Sequence, residues 1–482
     1  MAARRKNWRE MNKNRTVLFI VNRTVPFIGI ALLLAAGCAT PAGHVRHADL
    51  SSVPPAQRVF FCDPEKMAFK ALAGASAWHG VRPNGAGYRI EVPDDWNGVL
   101  VMYAHGYHGT TAELTITNSP LREWLIPNGF AWAASTYSRN FYDVRAGIED
   151  TNELALAFSD ITGLPAPVKY YIMGHSMGGH IAAAAVEAET LKRAENVVRY
   201  AGALSLCGVV GKLSRYFSAF IKAAEELAGT RPVTRTNDPV LWENVILPSI
   251  KEKLWHNFDA DKYAFTAAGE PLYGILKNLS GGPRPVFDIS FGSYLERLFS
   301  YGAADGTYGG ILQNPGVDTR DIIYRWESFS GEELTAAEEK FNKEVFRVVA
   351  EAEAKPSRRD GLRLMPPVRG ELTAPVVTLH DLGDLFVPFS MQQEYRRAAQ
   401  AKGSDDLLVQ RIIRTSRHCA MNNTEMLEAF LALMAWEIVG PTAKPAGDDV
   451  LNPAVVADEN YGCNFTRETR EGIAACPAVI YP

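Results

Sequence analysis

The sequence predicts an α/β protein with a mostly parallel sheet flanked by helices, and three observations support this prediction. Short apolar runs alternate with stretches of helical spacing from about residue 80 onward, as expected when parallel strands are joined by helices. Of the 482 residues, 47% are hydrophobic and 22% are charged, which is typical of a folded protein and excludes disordered and collagen-like chains. The sequence shows no internal repeat, which argues against solenoid and propeller architectures.

Seven segments have the composition of strands. Residues 99–104 form a fully apolar run after a turn at 93–98, which is typical of a strand buried on both faces. The spacing of apolar residues predicts helices over 151–161, 179–193 and 423–438. The other strand candidates are residues 88–92, 130–135, 168–173, 201–207, 375–379 and 407–414.

The alternation of strands and helices stops between about residue 211 and residue 370. This inserted segment scatters aromatic residues among short helical stretches, and a charged amphipathic helix is predicted near 332–354. It separates the strand candidates 201–207 and 375–379, which we number the sixth and seventh strands of the sheet, by about 160 residues. Because connections of this length within a domain are usually functional, we expect a helical lid over the carboxyl ends of the strands. Its aromatic residues would in part also form the core of an enlarged domain.

The first 37 residues are predicted to be a targeting segment. An apolar run over 25–36 is too short to span a bilayer as a helix. It ends in Leu34-Ala35-Ala36-Gly37-Cys38-Ala39, which resembles the lipobox of bacterial lipoproteins, although Ala35 stands where leucine is commonest. The resemblance implies a lipid anchor at Cys38; ordinary secretory cleavage is the alternative. The basic residues before the run are Arg4, Arg5, Lys6, Arg9, Lys13, Arg15 and Arg23.

The predicted location follows from this amino-terminal segment. Met11 is an alternative start to Met1, because the charged stretch before the apolar run is unusually long. We expect the protein to be exported and lipid-anchored to the bacterial cell envelope, or otherwise secreted. Ala39 replaces the aspartate that signals inner-membrane retention in enterobacterial lipoproteins, which favours the outer membrane. The net charge of -4 offers no basic excess to a phosphate backbone, so nucleic acid is not an expected partner.

Five cysteines follow Cys38, and export makes them informative. They allow two disulfide bonds and one free thiol, with Cys463–Cys476 the most local pairing, and the sequence does not determine the connectivity. No CxxC pair is present, so a zinc site is not expected. These cysteines are Cys62, Cys207, Cys419, Cys463 and Cys476.

The motif Gly174-His175-Ser176-Met177-Gly178-Gly179 follows the apolar strand candidate 168–173 and opens a helix of small residues. A tight strand-to-helix turn of this kind lifts a serine hydroxyl clear of the backbone. Gly174 and Gly178 remove side chains that would collide at such a turn. The helix begins at Met177, whose N–H and positive dipole end would stabilise a developing oxyanion. The motif therefore predicts Ser176 as a nucleophile.

With this motif the sequence resembles the α/β-hydrolase superfamily, which implies an eight-stranded, mostly parallel sheet. The apolar strand 99–104 followed by His105-Gly106-Tyr107 is similar to the family's oxyanion loop. The resemblance implies that the N–H groups of Tyr107 and Met177 hold the oxyanion and that His105 orients the loop. A metal site at His105 and His108 is disfavoured, because no third ligand is evident.

The resemblance also implies an acid after the seventh strand and a histidine after the eighth. The stretch His380-Asp381-Leu382-Gly383-Asp384 leads to Val387-Pro388, and this frame assigns the acid to Asp384, with Asp381 as the substitute. His418 lies on a short loop after the strand candidate 407–414. The chain order serine, aspartate, histidine is that of this superfamily. No metal or organic cofactor is required.

A narrower resemblance points to secreted bacterial esterases. In feruloyl esterases and tannases a cysteine directly after the histidine is bridged beside the triad, and Cys419 matches it. Their partner cysteine precedes the serine, whereas His175 holds that place here. Cys207 is then the candidate partner, and the departure puts a tannase-type substrate in doubt.

The sequence thus predicts an exported serine hydrolase that cleaves small or oligomeric carboxylic esters through an acyl-enzyme. The alternatives are an amidase or peptidase with the same triad and an inactive hydrolase-fold binding protein. A lipase is disfavoured by a mean hydropathy of -0.10. The predicted segments are a signal peptide (1–37), a linker (38–58), two parts of the core (59–210 and 371–440), the inserted lid (211–370) and a carboxy-terminal extension (441–482).

Overall fold

An eight-stranded sheet forms the centre of the computed structural model of the protein. The structure describes residues 49–50, 52–230, 233–303, 316–329, 331–351 and 361–477. The predicted targeting segment, the lipobox and Cys38 lie outside the described residues.

The strands of the sheet occur in the spatial order β1-β2-β4-β3-β5-β6-β7-β8. Strand β2 is antiparallel to both of its neighbours, and every other adjacent pair is parallel. The predicted fold class, a mostly parallel eight-stranded sheet flanked by helices, is confirmed. The bounds are β1 Ala75–Val81, β2 Gly87–Pro93, β3 Val99–Ala104, β4 Ala131–Ser135, β5 Lys169–His175, β6 Gly202–Leu206, β7 Val376–Asp381 and β8 Leu408–Ile413.

Helices cover the sheet and fill much of the chain between β6 and β7. The longer ones are α1 Val144–Leu156, α2 Met177–Ala185, α3 Leu213–Ala228, α4 Leu247–Leu254, α5 Glu270–Leu279, α6 Phe287–Ser300, α7 Ala336–Glu344, α8 Ser390–Lys402 and α9 Asn423–Val439. Shorter helices are Pro64–Met67, Arg122–Leu125, Phe158–Thr162, Ala188–Arg193, Pro239–Leu241 and Pro453–Val456, and Trp242–Ile246 is a π-helical turn. Among the described residues, no helix is both long enough and apolar enough to cross a membrane.

Several elements differ from the sequence prediction, and the helices expected over 151–161 and 179–193 are each divided into two. Strand β1 was not predicted, because it lies at the sheet edge and alternates in burial instead of forming an apolar run. The helix expected over 332–354 is shorter and spans only Ala336–Glu344. Thr335 and Glu338 form a capping box at its start, and the backbone at Val345 turns extended, so the charged residues beyond it do not continue the helix.

The aromatic residues of the inserted segment are mostly buried. Trp255, Phe291 and Phe299 are at most 1% exposed and belong to the same apolar cluster as core residues of the sheet such as Ile90 and Ile172. Edge-to-face and tilted ring contacts link Trp255 to Phe258 at 4.9 Å and to Phe265 at 5.2 Å between ring centroids. Many aromatic residues of the inserted segment therefore belong to the hydrophobic core, in line with the expectation that they would in part form the core of an enlarged domain.

The carboxy-terminal extension covers the free edge of β8. The backbone N–H of Ile412 donates to Asp448 Oδ2 at 2.8 Å, and the N–H of Asp448 donates to the carbonyl of Gln410 at 2.7 Å. The N–H of Arg414 donates to Thr466 Oγ1 at 2.8 Å. An uncovered edge strand exposes unpaired backbone groups, so this extension both protects the sheet and fixes the end of β8.

Strand register brings the loops at the carboxyl ends together. In β7 and β8, Asp381 lies opposite Ile413, and in β5 and β6, His175 lies opposite Leu206. The acid loop (residues 382–388) and the histidine loop (residues 414–422) are joined further by backbone bonds from Leu382 to Ile413 and from Gly383 to Thr415, both 2.9 Å. The predicted site residues on these loops therefore share one edge of the sheet.

Candidate active site

Ser176 lies in a strained turn between β5 and α2. Its backbone has φ 55° and ψ -115°, a conformation that non-glycine residues rarely adopt and that occurs at functional sites. A β-carbon on Gly178 would lie 2.0 Å from the carbonyl oxygen of Ala104, and one on Gly174 would lie 2.4 Å from the carbonyl oxygen of Gly178. The two glycines thus allow the close backbone approach that the sequence motif predicts.

The structure brings Ser176, His418 and Asp384 into one chain of hydrogen-bonding atoms. The Nε2 atom of His418 lies 2.8 Å from Ser176 Oγ, and its Nδ1 atom lies 2.5 Å from Asp384 Oδ2. Asp384 is fully buried, and its Oδ1 accepts hydrogen bonds from the N–H groups of Phe386 at 2.8 Å and Val387 at 3.0 Å. The aspartate is therefore held rigidly and orients the imidazole with its second oxygen.

The surroundings of His418 raise its pKa above the usual histidine value. Burial by itself lowers that pKa, but the charge and hydrogen bond of Asp384, assisted by the charge of Asp381, outweigh burial. The imidazole is consequently a stronger base than a free histidine, as proton abstraction from a serine hydroxyl requires.

Asp381, the substitute acid, does not contact the imidazole in any described hydrogen bond. Its Oδ1 accepts from Thr415 Oγ1 at 2.6 Å and from the N–H of Ala420 at 3.1 Å. Both partners belong to the histidine loop, one on each side of His418. Burial, followed by the nearby charge of Asp384, raises the pKa of Asp381 to about 7. Of the two carboxylates, Asp384 is the one that contacts His418, and Asp381 braces the loop.

The predicted oxyanion loop lies against the serine turn. A β-carbon on Gly106 would lie 3.5 Å from Ser176 Cβ and 3.4 Å from the carbonyl oxygen of His175, so the residue before Tyr107 lies against the turn that carries the nucleophile. Met177 is buried and is the first residue of α2. Helix amino termini favour negative charge. Roles for the N–H groups of Tyr107 and Met177 remain a prediction.

His105 is buried in a stack of rings. Its imidazole lies 3.8 Å from the ring of His108 and 4.1 Å from that of Tyr137, between centroids. Its ring nitrogens lie 2.6 Å and 3.2 Å from the carbonyl oxygens of Gly106 and Thr136. Burial, followed by His108, lowers its pKa to about 3. An uncharged, packed imidazole suits the loop-orienting role that the resemblance implies.

A disulfide bond joins Cys207 to Cys419 beside the triad, and a second joins Cys463 to Cys476. These are the pairings that the sequence favoured. The Sγ atom of Cys419 lies 3.3 Å from His418 Nε2, so the first bond ties the end of β6 to the histidine loop. Cys62 is a free thiol, and burial is the main cause that raises its pKa to about 11.

A metal ion has no suitable donor set in the described part of the chain. The one close group of three candidate ligands there consists of Cys207, His418 and Cys419. The two sulfur atoms are bonded to each other, so neither is available as the thiolate that binds metals.

Aromatic residues that the sequence did not single out lie beside His418. The ring of Phe386 meets His418 edge-on at 5.1 Å. Tyr301, beyond α6, stacks on Phe386 at 5.3 Å and on Phe217 of α3 at 4.6 Å. Arg297 of α6 places its guanidinium carbon 5.4 Å from the centre of the Phe386 ring. The inserted segment thus contributes side chains next to the triad; no motif marks them, because tertiary packing alone brings them there.

A cavity of about 1040 Å³ lies elsewhere in the molecule. Its lining includes Leu213, Arg215, Met365 and Arg369, and none of Ser176, Asp384 and His418 borders it. The hydrogen-bonded triad, and not the size of a cavity, therefore identifies the candidate active site.

No protein-family model matches the chain. The o-phthalyl amidase of Xanthobacter agilis is 23% identical over 420 residues, which cover 77% of this chain and 89% of that protein. Solved structures with similar coordinates include feruloyl esterase B from Aspergillus oryzae, with 15% identity, a TM-score of 0.41 and coverage of 79% and 84% of the two chains. A second Aspergillus oryzae esterase has 13% identity, a TM-score of 0.44 and coverage of 82% and 86%.

The acylaminoacyl peptidase of Pyrococcus horikoshii is also similar, with 9% identity and a TM-score of 0.37 over 76% of this chain. The present chain spans only 42% of the length of that peptidase. The strand order is that of the α/β-hydrolase fold, and Ser176, His418 and Asp384 have the hydrogen-bonded geometry of a serine-hydrolase triad.

Proposed function

We propose that the protein hydrolyses carboxylic esters, with Ser176 as nucleophile, His418 as general base and acid, and Asp384 as the orienting carboxylate. The observation that carries this proposal is the continuous chain from Ser176 Oγ through His418 to the buried Asp384, with contacts of 2.8 Å and 2.5 Å.

In the first step His418 Nε2 takes the proton of Ser176 Oγ while the oxygen attacks the ester carbonyl carbon. The carbonyl oxygen becomes an oxyanion, which the N–H groups of Tyr107 and Met177 would bind. The imidazolium then gives its proton to the leaving alkoxide as the carbon–oxygen bond breaks. The products of this step are an alcohol and an acyl-enzyme.

In the second step water attacks the acyl carbon, and His418 accepts a proton from the water. The imidazolium returns this proton to Ser176 Oγ as the acyl bond breaks, which releases the carboxylic acid. All proton transfers use His418, whose raised pKa favours its role as base.

The inserted segment is proposed to act as a lid that selects the substrate. Tyr301 and Arg297 belong to it and lie next to Phe386, which itself contacts His418. Side chains in this position would contact the part of the substrate nearest the imidazole.

Amide hydrolysis is the second candidate, because the relative from Xanthobacter agilis is named an amidase. The same triad can expel an amine if His418 protonates the nitrogen. The choice between ester and amide depends on substrate contacts and not on the triad.

The decisive experiment compares p-nitrophenyl esters of increasing chain length with aminoacyl anilides, using wild type and Ser176→Ala. We expect wild type to hydrolyse the esters and Ser176→Ala to lose this activity. Turnover of anilides alone would select the amidase. If neither substrate reacts and a fluorophosphonate probe fails to label Ser176, the protein is an inactive binding protein and the proposal is wrong.

Export with a lipid anchor at Cys38 is also proposed. Two disulfide bonds among the described residues support an oxidising compartment. Membrane fractionation of Cys38→Ser tests the anchor: the variant should leave the membrane fraction, and an unchanged distribution would show that Cys38 carries no lipid.

A further inference from the structure

Arg297 is an exposed cation beside the triad, and no carboxylate in the described part of the chain pairs with it. Among the described residues, its guanidinium makes no ion pair and donates no hydrogen bond, whereas the neighbouring Glu296 pairs with Lys262 at 3.1 Å. Most arginines of the inserted segment are engaged, as Arg215 is with Asp321 at 2.6 Å. The donors of Arg297 therefore remain available to a ligand.

Its position is defined by a ring and by the active-site histidine. The guanidinium carbon lies 5.4 Å from the centre of the Phe386 ring, a distance at which the face of an aromatic ring attracts a cation. Phe386 in turn lies 5.1 Å from the imidazole of His418. Arg297 is also among the charged groups that influence the pKa of His418, after burial and the carboxylates of Asp384 and Asp381. It therefore lies within reach of a substrate bound at the triad.

The surface between Arg297 and the triad is aromatic. The half-buried rings of Phe386 and Tyr301 stack at 5.3 Å between centroids, and Tyr301 covers the buried ring of Phe217 at 4.6 Å. Offset or edge-on aromatic contacts favour a planar ring over a flexible aliphatic chain. The guanidinium of Arg297 lies beside this pair of half-buried rings and has free planar donors, and an arginine fork matches a carboxylate in geometry.

We propose that Arg297 is a specificity-determining residue that binds a free carboxylate on an aromatic substrate. The enzyme then prefers aromatic esters or amides that carry a second, ionised carboxyl group over their neutral counterparts. This inference rests on the proposed hydrolytic function, because it concerns the same site. It adds to that function the chemical class of the substrate.

The expected preference is moderate because the arginine is exposed. A hydrogen bond to a charged group changes an affinity by roughly tenfold to a hundredfold, and solvent screening reduces the effect for an exposed ion pair. We expect about a tenfold preference in kcat/KM, which declines as salt is added.

The test uses methyl benzoate as the neutral substrate and the monomethyl esters of the three benzenedicarboxylic acids as the charged ones. The acid products are quantified by chromatography for wild type, Arg297→Gln, Arg297→Lys and the control Arg397→Gln. Arg397 is exposed on α8, so its substitution removes the same charge at a different surface.

Wild type is expected to have a higher kcat/KM for at least one of the charged monomethyl esters than for methyl benzoate. The substitution Arg297→Gln should lower the ratio of these two kcat/KM values by about tenfold. Arg297→Lys should retain part of the ratio, and Arg397→Gln should retain all of it. A ratio near one in wild type, or one that survives Arg297→Gln, overturns the inference but leaves the hydrolase intact. If wild type hydrolyses neither these esters nor p-nitrophenyl esters, the proposed function fails, and the inference fails with it.

A binding measurement gives a readout independent of turnover. Calorimetry with Ser176→Ala should detect tighter binding of a benzenedicarboxylate than of benzoate, and the added substitution Arg297→Gln should remove the difference. Equal affinities for both ligands in Ser176→Ala would contradict the assignment of Arg297.

Discussion

The loops at the carboxyl edge of the sheet and the inserted segment use their side chains in different ways. The loops carry polar groups that hold the site: both oxygens of Asp384 have partners, and Oδ1 of Asp381 bonds to the histidine loop, although its buried Oδ2 has no hydrogen-bond partner among the described residues. The inserted segment carries rings, of which Trp255, Phe291 and Phe299 are buried core. The loops thus determine the chemistry, while the inserted segment provides stability and a few contacts beside the triad.

The largest expected effect separates the two aspartates of the loop region. Asp384→Asn should lower kcat by about 10⁴-fold, because an amide at this position stabilises the wrong imidazole tautomer. Asp381→Asn should cost far less, since its carboxylate contacts Thr415 and the backbone of Ala420 and not the imidazole. Steady-state kinetics on one ester measures both variants, and a greater loss in Asp381→Asn would move the acid to that residue.

The two disulfide bonds allow a second comparison, because one lies at the active site and one in the extension. Cys207 and Cys419 are 212 residues apart, whereas Cys463 and Cys476 are 13 apart. Loop-closure entropy predicts a loss of about 5 kcal/mol for the first pair and about 3 kcal/mol for the second when both partners become alanine.

Denaturant unfolding measures these losses, and ester turnover separates the pairs further. Only Cys207→Ala/Cys419→Ala should also reduce kcat, because this bond fixes the loop that carries His418. Equal kinetic effects of the two double variants would contradict a role for the Cys207–Cys419 bond in positioning His418.

A buried ring in the inserted segment should affect stability more than catalysis. Trp255 is 1% exposed and its indole N–H donates to the carbonyl of Lys262 at 2.8 Å. Trp255→Ala should therefore lower the free energy of unfolding by about 3–5 kcal/mol. The control Val240→Ala, at a residue 69% exposed, should change it by less than about 0.5 kcal/mol. Unchanged thermal stability of Trp255→Ala would show that the segment contributes little to the core.

The smallest effect concerns pH. His418 must be neutral to act as base, so kcat/KM falls as the pH drops through the pKa of the free enzyme's imidazole. Because the net effect of its surroundings raises that pKa, the acidic limb should lie above the usual value of about 6.5. Asp384→Asn removes the dominant raising group and should move the limb to lower pH. A limb below pH 6 in wild type would contradict the raised pKa.

Sequence patterns predicted the loop region well and the inserted segment poorly. Ser176, Asp384 and His418 each lie three to five residues after a strand candidate. The resemblance to the α/β-hydrolase superfamily assigns their roles, and the carboxyl ends of parallel strands meet at one edge of the sheet. Phe386 was within the same stretch, but nothing in its neighbours indicated that it would contact His418. Tyr301 and Arg297 lie more than 100 residues from His418 in sequence, and no local pattern connects them.

The sequence by itself determined the fold class, the strained serine turn and the order of the site residues. These depend on short-range effects: apolar runs, glycines at close backbone approaches and loops that follow strands. The tertiary structure decided that Asp384 and not Asp381 contacts His418, that Cys207 lies next to Cys419, and that Arg297 lies beside the triad. The resemblance had favoured Asp384 and Cys207, but contacts between distant parts of the chain are what bring these groups together. No motif marks Arg297, because such contacts leave no periodic or local signal.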